Sequence, residues 1–245
     1  YYYIINKQKY LKSVFLRINM AEASESGILY HSTNVRSWRD EGHFTVPRVV
    51  YRGQKGTYAL FEQMTSEMIQ DKLSEFYESE KSKGNPVPTD APLIWAIATR
   101  AHELKGENPE AVGKIRQLLQ IGFRRYPNTL TRIDYSPEND VVVHNAGTSD
   151  QYSLEGNVVG PDGFINNIPD KNILESLLGT QDVSKINAVS QWINETDTYL
   201  WRLNSKPKKF NKRVAGFNAH DCLLGPDCNW GPLGVCPAFR VLQVE

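Results

Sequence analysis

The run His220-Asp-Cys222-Leu-Leu-Gly-Pro-Asp-Cys228-Asn-Trp-Gly-Pro-Leu-Gly-Val-Cys236 gathers one histidine and every cysteine of the chain within seventeen residues. Thiolates and neutral imidazoles are the usual ligands of tetrahedral zinc, so His220, Cys222, Cys228 and Cys236 form the candidate metal set. Their spacing argues the other way. Structural zinc sites draw ligand pairs two to four residues apart, whereas five and seven residues separate these cysteines. A cysteine nucleophile would need an imidazole oriented by a third group. No neighbouring motif selects one of His31, His43, His102, His144 and His220 for that role. The plainer reading makes the cysteines small buried hydrophobes. No cofactor is expected, with zinc as the alternative.

Lys206-Pro-Lys-Lys-Phe-Asn-Lys-Arg213 is the second candidate. Lys206, Lys208, Lys209, Lys212 and Arg213 supply five cations in eight residues, and Phe210 could stack on a base. A solvated loop between two strands accounts for the run equally well, and Pro207 favours it. Trp230 is the third binding candidate, because an indole on a long loop calls for a partner or a fold-back pocket. Gly156–Gly163 has the glycine density of a phosphate cradle but neither the Walker nor the G-x-G-x-x-G spacing, and reads as consecutive turns. Asp134, Glu138, Asp140 and Asp162 scatter near turns, as surface carboxylates commonly do. Asn194-Glu-Thr196 matches a glycosylation sequon, which has no meaning in a cytosolic protein.

The totals narrow the classes. Twenty-eight lysines and arginines balance twenty-eight aspartates and glutamates among 245 residues. The global field therefore steers nothing, and any attraction to nucleic acid or a membrane surface must be local. No apolar run approaches the roughly 18 residues of a spanning helix. Three cysteines do not make a disulfide framework, which suggests a soluble, cytoplasmic chain. Residues 1–19 contain no acid and no glycine, and Met20-Ala-Glu-Ala-Ser24 reads as a natural start. Val14-Phe15-Leu16 is broken by Arg17, too short for a secretory core. A non-native or disordered extension is expected there.

The elements that must position these residues follow from periodicity and caps. Strands are expected over 27–31 and 43–51, the second bent or held at an edge by Pro47. Leu60, Met64, Met68, Leu73, Phe76 and Tyr77 recur at three to five residues and predict a helix within 57–81. Asp90 caps a second helix ending near Leu104, and Asn108-Pro109 opens a third towards Arg125. Thr129–Tyr135 and Asp140–His144 read as strands, 147–167 as a long loop, and 171–178 and 183–193 as short helices, the second capped by Asp182. Strands over 198–204, 213–218 and 239–244 close the chain, with Trp201 facing the core.

Tyr152-Ser-Leu-Glu-Gly-Asn-Val-Val-Gly-Pro-Asp-Gly163, Leu177-Leu-Gly-Thr180, Thr198–Pro207 and Arg213-Val-Ala-Gly-Phe217 resemble a group of small archaeal proteins. That resemblance covers most of 129–245 and implies no activity. The order of Trp201, Arg213-Val-Ala-Gly216 and Phe239-Arg-Val241 is similar to the closing strands of C-type-lectin-like domains, including the sulfatase-modifying-factor variety. The lectin triplets Glu-Pro-Asn and Trp-Asn-Asp are absent, so this second resemblance implies a fold and not an activity. The expected architecture is α+β: a three-helix block (57–126) on one mixed, mainly antiparallel sheet, with 20–128 and 129–245 forming one continuous unit. The expected function is non-catalytic binding of a protein or small molecule through the 219–236 loop. The alternatives are a zinc- or thiol-dependent enzyme at His220/Cys222 and nucleic-acid binding through 206–213.

Overall fold

A computed structural model describes residues 27–31, 41–220 and 223–244. The expected extension over 1–19 lies outside the described residues, as do Met20 and Cys222. Two antiparallel five-stranded sheets organise the rest, rather than the single sheet expected. The first contains β1 (Leu29–His31), β2 (His43–Tyr51), β3 (Gln54–Phe61), β4 (Val87–Pro88) and, from the far end of the chain, β12 (Arg240–Gln243), in the order β1-β2-β3-β12-β4. The second is built from β5 (Thr131–Tyr135), β6 (Val141–His144), β7 (Tyr152–Glu155), β10 (Asn211–His220) and β11 (Leu223–Trp230), in the order β11-β10-β5-β6-β7. A two-stranded ribbon pairs β8 (Gly163–Phe164) with β9 (Tyr199–Leu200). The terminal strands expected in one sheet are thus divided, with β12 in one sheet and β10 in the other.

Helices α1 (Gln70–Ser82), α2 (Ala91–Glu103), α3 (Pro109–Phe123), α4 (Asn172–Leu178) and α5 (Val183–Asn194) surround and join the sheets. Three of their N-termini are capped as the sequence suggests. Asp90, Asn108 and Asp182 side chains accept from the amides of Leu93, Ala111 and Lys185 at 2.9, 3.2 and 3.0 Å. Helix α2 buries Ile94, Trp95, Ile97, Ala98 and Ala101, as a helix walled in on most sides must. Trp95 stacks on Phe217 of β10 at 5.7 Å, Phe217 meets Phe123 of α3 at 4.9 Å, and Phe123 meets Phe239 at 5.3 Å. These aromatic contacts draw both sheets into one core.

Three local expectations are corrected. Residues 54–61 form a strand, and helix α1 begins only at Gln70. The reason is the turn Tyr51-Arg52-Gly53-Gln54, where Arg52 and Gly53 have φ of 51° and 73°. That is the two-residue hairpin geometry matching strand twist, so it folds 54–61 back onto β2. Of the two outcomes expected of Pro47, the edge position is corrected and the bend is found: its strand is second in the sheet, and the register shift between Val46 and Val49 forms a bulge around it. Lastly, the 198–201 segment alternates in the opposite phase. Leu200 and Arg202 turn inward, whereas Trp201 is half-buried and packs on Tyr199 at 4.8 Å.

Candidate functional site

Of the candidate metal ligands, the structure does not bring His220, Cys228 and Cys236 together, and Cys222 lies outside the described residues. The 219–236 segment is mostly the β10–β11 hairpin rather than a loop. His220 is at its exposed end, opposite Leu223. Cys228 is five residues along β11 from Leu223, roughly 17 Å at strand rise, and is fully buried in the core. Burial pushes its thiol well above the ordinary range. Cys236 is buried beside Met68, whose backbone it pairs with, and burial raises its thiol also. Among the described residues no group of three or more His, Cys, Asp or Glu could hold a metal ion. No helix among them is long and apolar enough to cross a membrane.

The other sequence candidates sit on the surface of the second sheet. Lys206 donates to the Glu138 carbonyl at 3.3 Å. Lys208, Lys209 and Lys212 are exposed, with Lys212 5.9 Å from the ring of exposed Phe210. Arg213 is engaged by Asn211 and Asn229. Trp230 stacks on Tyr126 at 6.0 Å, which supplies the fold-back partner its indole requires.

A different constellation lies where the two sheets approach each other. Asp90, 1% exposed, ends the segment entering α2. Its Oδ1 caps the helix, while Oδ2 accepts from the phenols of Tyr51 on β2 at 2.5 Å and Tyr152 on β7 at 3.2 Å. Thr131 of β5 completes the cap by accepting from the Ala91 amide at 2.9 Å, and meets Nδ1 of His144 at the same distance. His144 in turn packs on the Tyr152 ring at 4.7 Å. One buried carboxylate thus ties the first sheet, the second sheet and the central helix together. Burial, and next the Asp90 charge, push both phenols well above their ordinary range, so they remain proton donors.

Two clefts flank this knot and share Tyr51, Arg52 and Tyr152 as a common wall. The first, about 600 Å³, is bounded by Tyr58, Tyr77, Asn145 and Gln151 and by β12. The second, about 560 Å³, is lined by Arg48, Arg52, Arg100 and Lys185 against Glu103 and Glu175. Glu103 pairs with both Arg100 and Lys185, at 3.1 and 2.8 Å. Arg48 and Arg52 are exposed and make no ion pair among the described residues; the Arg52 guanidinium lies 3.8 Å above the Tyr152 ring.

Backbone conformation singles out the same wall. Five described non-glycine residues have positive φ: Arg48, Arg52, Tyr126, Asn145 and Glu195. Glu195 is the left-handed C-cap of α5, and Tyr126 follows the end of α3, both ordinary places for such a residue. The remaining three, Arg48 at 56°, Arg52 at 51° and Asn145 at 50°, all line the clefts. Sequence reasoning missed this site because its members lie far apart in the chain. One signal was present: Arg52-Gly53, between two strand-like runs, stands where a tight hairpin favours Asn-Gly or Asp-Gly.

Comparison of the chain with protein-family models, with curated proteins and with solved structures found no match in any of the three.

Proposed function

We propose that this is a binding protein for a small anionic molecule, taken up in the cleft of Arg48, Arg52, Arg100 and Lys185. Arg48 and Arg52 carry the reading. Each holds a left-handed backbone that costs a side-chain-bearing residue about 1–2 kcal/mol, at a bulge or turn where glycine or asparagine would fit without strain. Among the described residues neither guanidinium makes an ion pair, Asp150 acting on Arg52 only at longer range, and both stand at the mouth of a cleft of ligand size. Planar guanidinium forks match the oxygens of carboxylate and phosphate. The neighbouring tyrosines are protonated donors engaged with Asp90, which favours recognition over proton-transfer chemistry.

Thermal-shift and calorimetric titrations with inorganic phosphate, citrate and acetate test this reading. Phosphate or a carboxylate should stabilise the protein, and the effect should fade with salt. Arg52→Asn is the informative variant, because asparagine tolerates the left-handed turn. Relief of strain there offsets the lost contact with Tyr152, itself about 0.5–1 kcal/mol at an exposed site. The variant should unfold at the wild-type temperature or slightly above it, while anion binding drops at least ten-fold. A variant that binds anions normally would overturn the proposal.

A further inference from the structure

The anion reading concerns one cleft; the second, across the shared wall, defines what else the ligand carries. Four tyrosines line it: Tyr51, Tyr58, Tyr77 and Tyr152. Three have their hydroxyls committed elsewhere, Tyr51 and Tyr152 to Asp90 and Tyr77 to Asp150 at 2.5 Å. What those three offer a ligand is ring surface rather than hydrogen bonds.

The polar groups of this cleft are also largely spent. Asn85 donates to Glu80 at 2.7 Å, Gln151 accepts from the Gly147 amide at 3.0 Å, and Lys81 pairs with Asp150. Asn145 differs. It is 8% exposed and lines the cleft, yet its side-chain amide makes no hydrogen bond with the described residues. An unengaged amide in an aromatic cleft offers one donor and one acceptor side by side. That is the pattern that reads the edge of a heteroaromatic base. A sugar ring, with a hydroxyl on most carbons, would ask for more free partners than this cleft retains. Between the clefts, the Arg52 guanidinium has one face on Tyr152, and Asp150, which feels its charge, is held by Lys81 and Tyr77 rather than ion-paired to it. Such a plane stacks readily on a flat heterocycle.

Resting on the anion-binding reading above, we infer that the two clefts form one bipartite site for a nucleoside monophosphate. Its phosphate lies between Arg48 and Arg52, and its base lies against Arg52 with its edge at the Asn145 amide.

The test is calorimetry on the intact protein with inorganic phosphate, ribose 5-phosphate, and the adenosine, guanosine, cytidine and uridine monophosphates. At least one nucleotide should bind about ten-fold or more tightly than ribose 5-phosphate, the scale of one stacked base. Asn145→Gly keeps the left-handed backbone and removes only the amide. It should erase most of that advantage and leave ribose 5-phosphate binding as it was. If ribose 5-phosphate binds through Arg48 and Arg52 but no nucleotide exceeds it, the base subsite is overturned and the anion site survives. If no phosphate-bearing probe binds at all, the anion reading falls and takes the bipartite site with it. A nucleotide advantage that Asn145→Gly leaves intact would overturn the role given to this cleft.

Discussion

Asp90 shows how much one side chain can be asked to do. Its carboxylate serves the Leu93 amide and two phenols from separate sheets, 39 and 62 residues away in sequence. Asp90→Ala therefore removes a helix cap, typically about 1 kcal/mol, and strands two half-buried hydroxyls at about 1–3 kcal/mol each when no water replaces the bond. The expected loss in urea unfolding is about 3 kcal/mol or more, well beyond a cap alone. Asp90→Asn keeps the capping oxygen and should recover part of it. A loss for Asp90→Ala no larger than that of an ordinary exposed cap would mean that the phenols do not hold the sheets to the helix. The capping half of this role is legible in the sequence, because Asp90 precedes Pro92 and an apolar helical stripe. The phenolic half is not, since nothing local to Tyr51 or Tyr152 marks them as partners of Asp90. The cleft arginines are hidden for the same reason: an exposed arginine in a turn looks like solvated surface until its backbone angle and its neighbours are known.

Among the elements, capped helices and the hairpin of β5 and β6 were readable because their signals are local: a cap, a stripe, a turn. The strand β3 was not, because its buried stretch Thr57–Phe61 lacks alternation and joins a helical stripe begun further on. Sheet membership was likewise out of reach, since β12 pairs with β3 across more than 180 residues through a register no local pattern encodes. A further element-level feature is the parallel pairing of 198–201 along β11. Trp201 accepts from the Cys228 amide at 2.9 Å and donates to the Pro226 carbonyl at 3.2 Å. It covers an edge that would otherwise be open to pairing with another chain. Gly225 permits this approach, as a Cβ there would overlap the Tyr199 carbonyl oxygen. Gly225→Ala must push two backbones apart, so its cost should reach or exceed the upper end of the ~1–3 kcal/mol seen for overpacking. Circular dichroism and urea unfolding read this directly. A substitution without effect would mean that the 198–201 segment is not anchored on β11.

At the scale of the whole molecule, acid should destabilise the fold well before its carboxylates are protonated. His144 is fully buried, and burial, with Arg52 adding to it, lowers its pKa from 6.5 despite the opposing influence of Asp90 and the Ser176 backbone. Burial lowers His102 also, helped by Lys105, and His31, helped by His43. For each, the folded protein keeps the imidazole neutral while the unfolded chain takes up a proton below about 6.5. The unfolded state then binds more protons, so stability falls as pH drops from that value towards the folded pKa and is unaffected above it. Each histidine contributes a slope of at most about 1.4 kcal/mol per pH unit. Further down, Asp150, held low by its hydrogen bonds to Lys81 and Tyr77, and Glu80, held low by Lys83 and Asn85, add their own losses. Urea midpoints measured between about pH 7.5 and 5.5 span the histidine range and lie above the ordinary carboxylate values, Asp227 being the carboxyl that burial pushes up towards it. His144→Asn retains a polar atom towards Thr131 but cannot titrate. It should lower stability at neutral pH, where the ring packing on Tyr152 is lost, yet flatten the decline on acidification. An acid slope as steep in that variant as in the wild type would show that the buried imidazole beneath Tyr152 is not what the proton reaches.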